Sequence, residues 1–180
     1  MTSLRDPIAA AAGVKASELN LEALSATPKG QLLIGLRSPL REIPGKKSEA
    51  IVIPFKNPAK VVDKGAAPKF GAAFSIKLDG RALRSMDLIG TNPARYIIVA
   101  GPVADGPGFA LFRWKGKGFD PEEITDGPDL TGLTPEGAMA VPGQNLVQLL
   151  SDDAKVNGVK CDEENDPPEK RKFRSIDVKP

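Results

Sequence analysis

Three acidic residues, Glu22, Asp87 and Glu136, each stand six positions ahead of a proline, Pro28, Pro93 and Pro142. An apolar run starts ten positions after each acid, at Leu32, Ile97 and Leu146. Carboxylates repeated on equivalent elements can converge, and converging carboxylate oxygens with nearby carbonyls are what Ca²⁺ takes as ligands. An ion held in this way would polarise an ester or phosphate oxygen, which is hydrolase chemistry. The same acids have a structural use, accepting backbone N–H bonds or pairing with Arg37 and Arg84, and repetition at equivalent positions favours that use.

Further candidates lie close by in sequence. Arg84 and Ser85, with Arg37, have the chemistry to hold an anion. Ser85 as a nucleophile has no base to activate it, because the chain contains no histidine and no Ser-x-x-Lys motif surrounds it. Asp152 and Asp153 precede Asn157-Gly158 and the acidic run 162–166, a composition that binds Ca²⁺ weakly. Their spacing lacks the alternating ligands, central glycine and closing glutamate of an EF-hand, so a solvated loop is the simpler reading. The stretch Gly101–Gly108 has prolines where a phosphate cradle needs N–H donors, and reads as an inter-strand loop.

Absences narrow the chemistry further. Zero histidines exclude Ser-His-Asp and Cys-His catalysis, imidazole proton transfer and His-containing metal sites. The single cysteine, Cys161, forms no internal disulfide, and its neighbours Asp162, Glu163 and Glu164 oppose thiolate formation. A formal net charge of +2 gives no strong field toward nucleic acid or a membrane surface. The clusters Lys46-Lys47 and Lys170-Arg171-Lys172 have no aromatic neighbours and read as solvated loops. No apolar run approaches a membrane span.

The elements that position these residues are strands. Glycine (18) and proline (17) are frequent, which suits many tight turns, while nine aromatic residues leave the core to Leu, Ile, Val and Ala. The acid-to-proline copies lie 87 − 22 = 65 and 136 − 87 = 49 residues apart, and a period of roughly 40–50 residues belongs to propeller-type repeats. The longer first interval leaves room for a loop insertion such as Arg41–Ser48. In each copy a short strand reaches the proline turn and an apolar strand returns: Gln31–Leu36, Tyr96–Ala100 and Asn145–Leu150. These returning strands are nearly continuous in apolar residues, which predicts burial on both faces between neighbouring sheets. Third strands follow at Glu49–Phe55, Phe109–Trp114 and Phe173–Val178. Fourth strands are expected at Phe70–Ile76 and, more weakly, at Glu122–Thr125.

The sequence therefore predicts an all-β chain, a partial β-propeller of three blade-like antiparallel units over about 19–80, 81–130 and 131–180. A β-sandwich is the alternative. Residues 1–18 form the lead-in, with a short helix capped by Asp6, opened by Pro7 and stopped at Gly13.

Several segments together resemble a bacterial family known as domain of unknown function 3616. They are Leu19–Leu24, Gln31–Arg37, Leu83–Asp87, Tyr96–Pro102, Phe109–Trp114, Pro135–Gly137, Leu149–Asp153 and Phe173–Pro180. The resemblance implies a propeller-like fold, of which this chain is similar to the C-terminal half, and it implies no activity. Ile176-Asp177 departs from the family's preference for an aromatic near the end.

Three blades do not close a ring, and an open arc exposes strand edges and apolar faces. The expected partner is a second copy completing a six-blade ring, or a chain that supplies the missing blades. The two functional expectations are a propeller-type binding module that recognises its partner through loops, and a calcium-assisted hydrolase of phosphate or carboxylic esters. The first residues make a poor signal peptide, with Asp6 ahead of a short apolar stretch, so the chain as written is expected in the cytoplasm, and exported if it is a fragment of a longer precursor.

Overall fold

A computed structural model describes residues 4–153 and 173–180. Cys161, the cluster 170–172, Asn157-Gly158 and the acidic run 162–166 lie outside the described residues. The chain is all-β, and its described residues form three antiparallel sheets with two short α-helices. Sheet 1 runs β1 (Asn20–Ala26), β2 (Leu32–Ser38), β3 (Ala50–Phe55), β4 (Phe74–Ile76). Sheet 2 runs β5 (Ala82–Thr91), β6 (Ala94–Gly101), β7 (Ala110–Trp114), β8 (Glu122–Glu123). Sheet 3 has β9 (Pro135–Ala140), β10 (Val147–Ser151) and β11 (Ser175–Val178). Each sheet is a meander in which consecutive strands pair, as the three turn prolines predict.

The sheets stack face to face, with sheet 2 between the other two. The side chains of β6 alternate: Tyr96, Ile98 and Ala100 enter a core with Leu33, Val52 and Leu83 against sheet 1. Ile97 and Val99 enter a second core with Val147, Leu149 and Val178 against sheet 3. A strand packed on both faces has no side left for polar residues, which is why its sequence runs unbroken in apolar types. The first strands of the three sheets lie together, β5 between β1 and β9.

The helix α1 (Arg5–Ala12) closes the outer face of sheet 1, with Ile8 and Ala12 against Ile34, Leu36, Ile51 and Ile53. Gly13 ends it in the left-handed conformation, φ 71°, as read from the sequence. Its start differs from expectation, since Leu4 is the N-cap and Asp6 lies inside the first turn without a capping bond. A second helix, α2 (Pro58–Lys64), had no counterpart in the sequence reading and occupies the connection from β3 to β4. It shortens the expected strand Phe70–Ile76 to Phe74–Ile76, leaving Phe70 in a lone bridge to Phe55. No helix among the described residues is long and apolar enough to cross a membrane.

Candidate functional site

Arg84, on β5, is the centre of a cleft bounded by all three sheets. The residue is 3% exposed, an unusual setting for a guanidinium, and every face of the group is accounted for. Nε donates to Glu136 Oε2 at 3.1 Å, Nη2 donates to Glu136 Oε1, and Nη1 donates to the Pro102 carbonyl at 3.0 Å. The Phe109 ring lies 5.6 Å from Cζ, a cation–π contact. Gly101 makes this packing fit, because a Cβ there would come within 2.6 Å of Phe109 Cε1 and 2.9 Å of Arg84 Cγ.

Glu22, on β1, reaches the same arginine from the other side. Its Oε2 lies 2.9 Å from Arg84 Nε, yet it is a buried atom that accepts no hydrogen bond. The Nε–H is aimed at Glu136, so the contact with Glu22 is ionic without the directional bond. Glu22 Oε1 accepts from Arg37 Nη1 at 2.9 Å. Arg37 continues outward, donating from Nε to the Val103 carbonyl at 2.7 Å and from Nη2 to Asp105 at 3.1 Å. The hydrogen bond to Glu22, ahead of the contribution from Asp105, raises the Arg37 pKa above its ordinary value, so this cation is permanent. The chain Asp105–Arg37–Glu22–Arg84–Glu136 thus crosses from the β6–β7 loop through sheets 1 and 2 to sheet 3.

Asp87 is elsewhere. Its Oδ1 accepts from the Leu88 N–H at 2.8 Å and its Oδ2 from the Ala140 N–H at 2.7 Å. Ser85, two residues earlier on β5, accepts from the Ala138 N–H at 3.0 Å. Ala138 and Ala140 lie on β9, which among the described residues is an edge strand paired only with β10, and alternate N–H groups of such a strand face away from the partner. Ser85 and Asp87 therefore satisfy the open edge of β9 with side-chain acceptors. Ser85 is a seam residue in this structure.

These positions correct the expectation that Glu22, Asp87 and Glu136 converge. Glu22 and Glu136 do meet, but around a guanidinium, and Asp87 bonds backbone four residues along β9 from Glu136. Among the described residues no three acids group where they could hold a metal ion. Asp152 and Asp153 separate as well. Asp152 borders the cleft, its N–H donating to the Thr134 carbonyl at 2.8 Å, while Asp153 is 6% exposed and faces away.

Asp153 binds Arg174 through the backbone N–H (2.7 Å), Nε (2.9 Å) and Nη2 (2.8 Å), and accepts from Ser151 Oγ at 2.8 Å. This clamp fastens β11 beside β10. Hydrogen bonding by Arg174, first among the causes, holds the Asp153 carboxyl below its ordinary 3.8. A lowered folded-state pKa means stability that is present above the unfolded value and is lost as pH falls through the folded value. Thermal midpoints of wild type and Asp153→Asn are therefore expected to differ at neutral pH and to converge as the acid range is crossed. A gap that stays constant from neutral to acid pH contradicts this role.

The cleft has a volume of about 540 Å³ and is lined by Glu22, Arg37, Arg84, Asp105, Phe109 and Glu136, among others. A neighbouring cavity of about 360 Å³ shares Gly106, Pro107, Phe109 and Thr134 with it. Four carboxylates, Glu22, Asp105, Glu136 and Asp152, face two arginines, a formal excess of two negative charges. Neither Asp105 nor Phe109 carries a site signal in the sequence: Asp105 lies in the stretch 101–108 that reads as an inter-strand loop, and Phe109 reads as the first residue of a third strand, which starts one residue later at Ala110. No protein-family model, curated protein or solved structure matches the chain.

Proposed function

We propose that the chain is a binding module, an open arc of three propeller blades whose central cleft recognises a ligand or partner through a cationic group. The observation that carries this reading is the cleft itself: a polar opening shared by all three sheets, in which carboxylates outnumber arginines two to one. A cleft walled by low-dielectric protein focuses such a charge excess and raises the local concentration of cations. The stacked meanders of four, four and three strands and the resemblance to a propeller-like family support the blade description. The calcium-assisted hydrolase is not carried forward, because Arg84 fills the space between the two glutamates that would have been ligands.

The ends of the arc bear on its partners. The outer face of sheet 1 is covered by α1, and the outer face of sheet 3 presents Gln148, Ser175 and Asp177 beside Met139 and Leu150. Among the described residues neither is the continuous apolar surface that another blade needs, and polar or covered end units are how stacked repeats terminate. This favours a single chain over ring closure by a second copy or by a chain carrying further blades.

Native mass spectrometry with spermidine tests both parts. The expected ions are one chain of 19.0 kDa with one spermidine bound, the adduct weakening about tenfold in Asp105→Asn. Ions of a discrete two-chain assembly would restore ring closure. An adduct indifferent to Asp105→Asn, or none, would reject the cleft as a cation site.

A further inference from the structure

The formal charge of +2 is a sum, and the fold separates its parts. Strands of an antiparallel meander alternate in direction. The β1–β2, β3–β4, β5–β6, β7–β8 and β9–β10 connections therefore leave the sheets at one end, and the β2–β3 and β6–β7 loops at the other. The three sheets also run the same way. Ser85 and Asp87 on β5 meet Ala138 and Ala140 in the same order along β9. Arg37, late in β2, meets Val103 and Asp105 in the β6–β7 loop. At the opposite end Lys117, in the β7–β8 connection, lies 5.0 Å over the ring of Phe74, where the β3–β4 connection finishes.

The two ends differ in charge. The β3–β4 connection, 56–73, carries Lys56, Lys60, Lys64 and Lys69 against Asp63. The β7–β8 connection, 115–121, carries Lys115 and Lys117 against Asp120. Glu122 and Pro180, with its terminal carboxylate, lie beside Lys115, while Lys29 and Lys179 add two more cations at this end. The β2–β3 and β6–β7 loops, 39–49 and 102–109, instead balance Arg41, Lys46 and Lys47 against Glu42, Glu49 and Asp105. Few of the lysines at the basic end are neutralised by a neighbour. Asp120 takes Lys77 at 2.8 Å and Glu122 lies 3.6 Å from Lys115, whereas Lys56, Lys60, Lys64 and Lys69 have no ion pair among the described residues.

Two apolar side chains are exposed on these same connections. Val62 is 82% exposed on α2, between Lys60 and Lys64, while Val61 packs partly buried beside α1 and seats the helix. Asn57 fixes the connection, donating from Nδ2 to the Ala67 carbonyl at 2.9 Å and accepting from the Lys69 N–H at 2.7 Å. Phe119 is 58% exposed although its loop is tied down. Trp114 Nε1 donates to the Phe119 carbonyl at 2.9 Å, and the Phe119 N–H donates to the Gly116 carbonyl at 3.2 Å. Both side chains are thus held out by backbone that is itself hydrogen-bonded.

We propose that this end of the molecule docks on an anionic phospholipid surface, with the lysines at the headgroup phosphates and Val62 and Phe119 entering the interface. Clustered lysines beside exposed apolar side chains suit such a surface, through charge and burial together. A nucleic acid fits less well. Neither connection holds an arginine fork for phosphate, and Phe119 has no exposed aromatic neighbour in its loop to extend a stacking platform. The central cleft, built around Arg37 and Asp105, belongs to the other end, so docking leaves it facing solution.

Co-sedimentation of the whole chain with phosphatidylcholine vesicles containing about 30% phosphatidylserine, at about 0.15 M ionic strength, tests the proposal. Binding is expected to these vesicles and not to phosphatidylcholine alone. It should weaken at least about tenfold in Lys60→Glu, Lys64→Glu and about three- to tenfold in Phe119→Ser, all exposed positions. The pair Lys46→Glu, Lys47→Glu changes the net charge equally at the other end and should leave binding within about twofold of wild type. Asp105→Asn, the change that weakens spermidine binding in the cleft, should also leave it unaltered. The proposal is overturned by no vesicle binding, by equal binding to phosphatidylcholine alone, or by equal losses in the two lysine pairs. Undiminished affinity in Lys60→Glu, Lys64→Glu or in Phe119→Ser overturns it too, as does tighter binding to a duplex or single-stranded oligonucleotide than to the vesicles.

Discussion

Replacing Arg84 with methionine is expected to destabilise the protein by about 2–4 kcal/mol, a fall in thermal midpoint of roughly 4–16 °C. Methionine keeps the stem of the side chain and its packing beside Phe109, so the loss isolates the guanidinium. Breaking a buried pair usually costs about 3–5 kcal/mol because a charge is left without compensation. The figure is lowered because Glu22 and Glu136 are 21% and 29% exposed, so water takes over part of the solvation. The two abandoned carboxylates would also repel each other across the space Arg84 vacates. Adding Glu22→Gln and Glu136→Gln to Arg84→Met should then recover part of the loss, since neutral amides can meet water or one another. Each glutamine alone in the wild-type background should be destabilising. Chemical unfolding of wild type and the four variants measures the coupling, and strictly additive changes would show that Arg84 does not bridge the sheets.

How far this arrangement was legible in the sequence depended on which interactions repeat. The unbroken apolar run of β6 announced a strand buried on both faces, and the three prolines marked hairpins that form where expected. Glu22 and Glu136 stood out through their spacing, and Arg37 and Arg84 were recognised as their natural partners. The level of Asp87 was not legible. The copies are 49 residues apart in sequence, whereas Ser85 meets Ala138 and Asp87 meets Ala140 at separations of 53. The strand β5 holds two irregularities of register and runs to a turn of residues 92–93, while its neighbours end in longer loops at 27–31 and 141–146. Counting residues from acid to proline passes over such bulges and turns without registering them, so Arg84 stands level with the two glutamates and Asp87 does not. The helix α2 carried the signals used to place α1, a proline at its first position and Gly65 in the left-handed conformation at its end. None of its residues is fully buried and only Val61 packs, partly buried, against the core beside α1, which leaves too narrow an apolar stripe for the sequence pattern to show.

The contact between sheets 1 and 2 rests on a single missing methyl group, and Gly35→Ala is expected to cost about 1–3 kcal/mol. A glycine-to-alanine change in a strand ordinarily stabilises by about 0.4–1 kcal/mol, because it restricts the unfolded chain. At Gly35 the sign reverses: the added Cβ would lie 2.7 Å from Leu83 Cδ1, 2.8 Å from Ala23 Cβ and 3.2 Å from Leu83 Cβ. Leu83 is fully buried, and the Ala23 methyl moves only with its backbone, so the sheets must part or β1 must shift. Gly137→Ala on β9 is the control, since nothing lies nearer than 3.5 Å to its Cβ, and it should be neutral or slightly stabilising. The double change Ala23→Gly, Gly35→Ala moves the methyl from one strand to its neighbour and should restore part of the loss, as residues in direct contact are not additive. The consequence reaches the cleft through short steps of chain. Arg37 follows Gly35 by two residues and shares its face of β2, and Arg84 follows Leu83 directly. Widening this seam should therefore draw Arg37 away from Asp105 and the Val103 carbonyl, and spermidine binding should fall together with stability. A Gly35→Ala protein as stable as wild type would mean that the sheets are not held at this spacing, and that the arginines are not positioned by it.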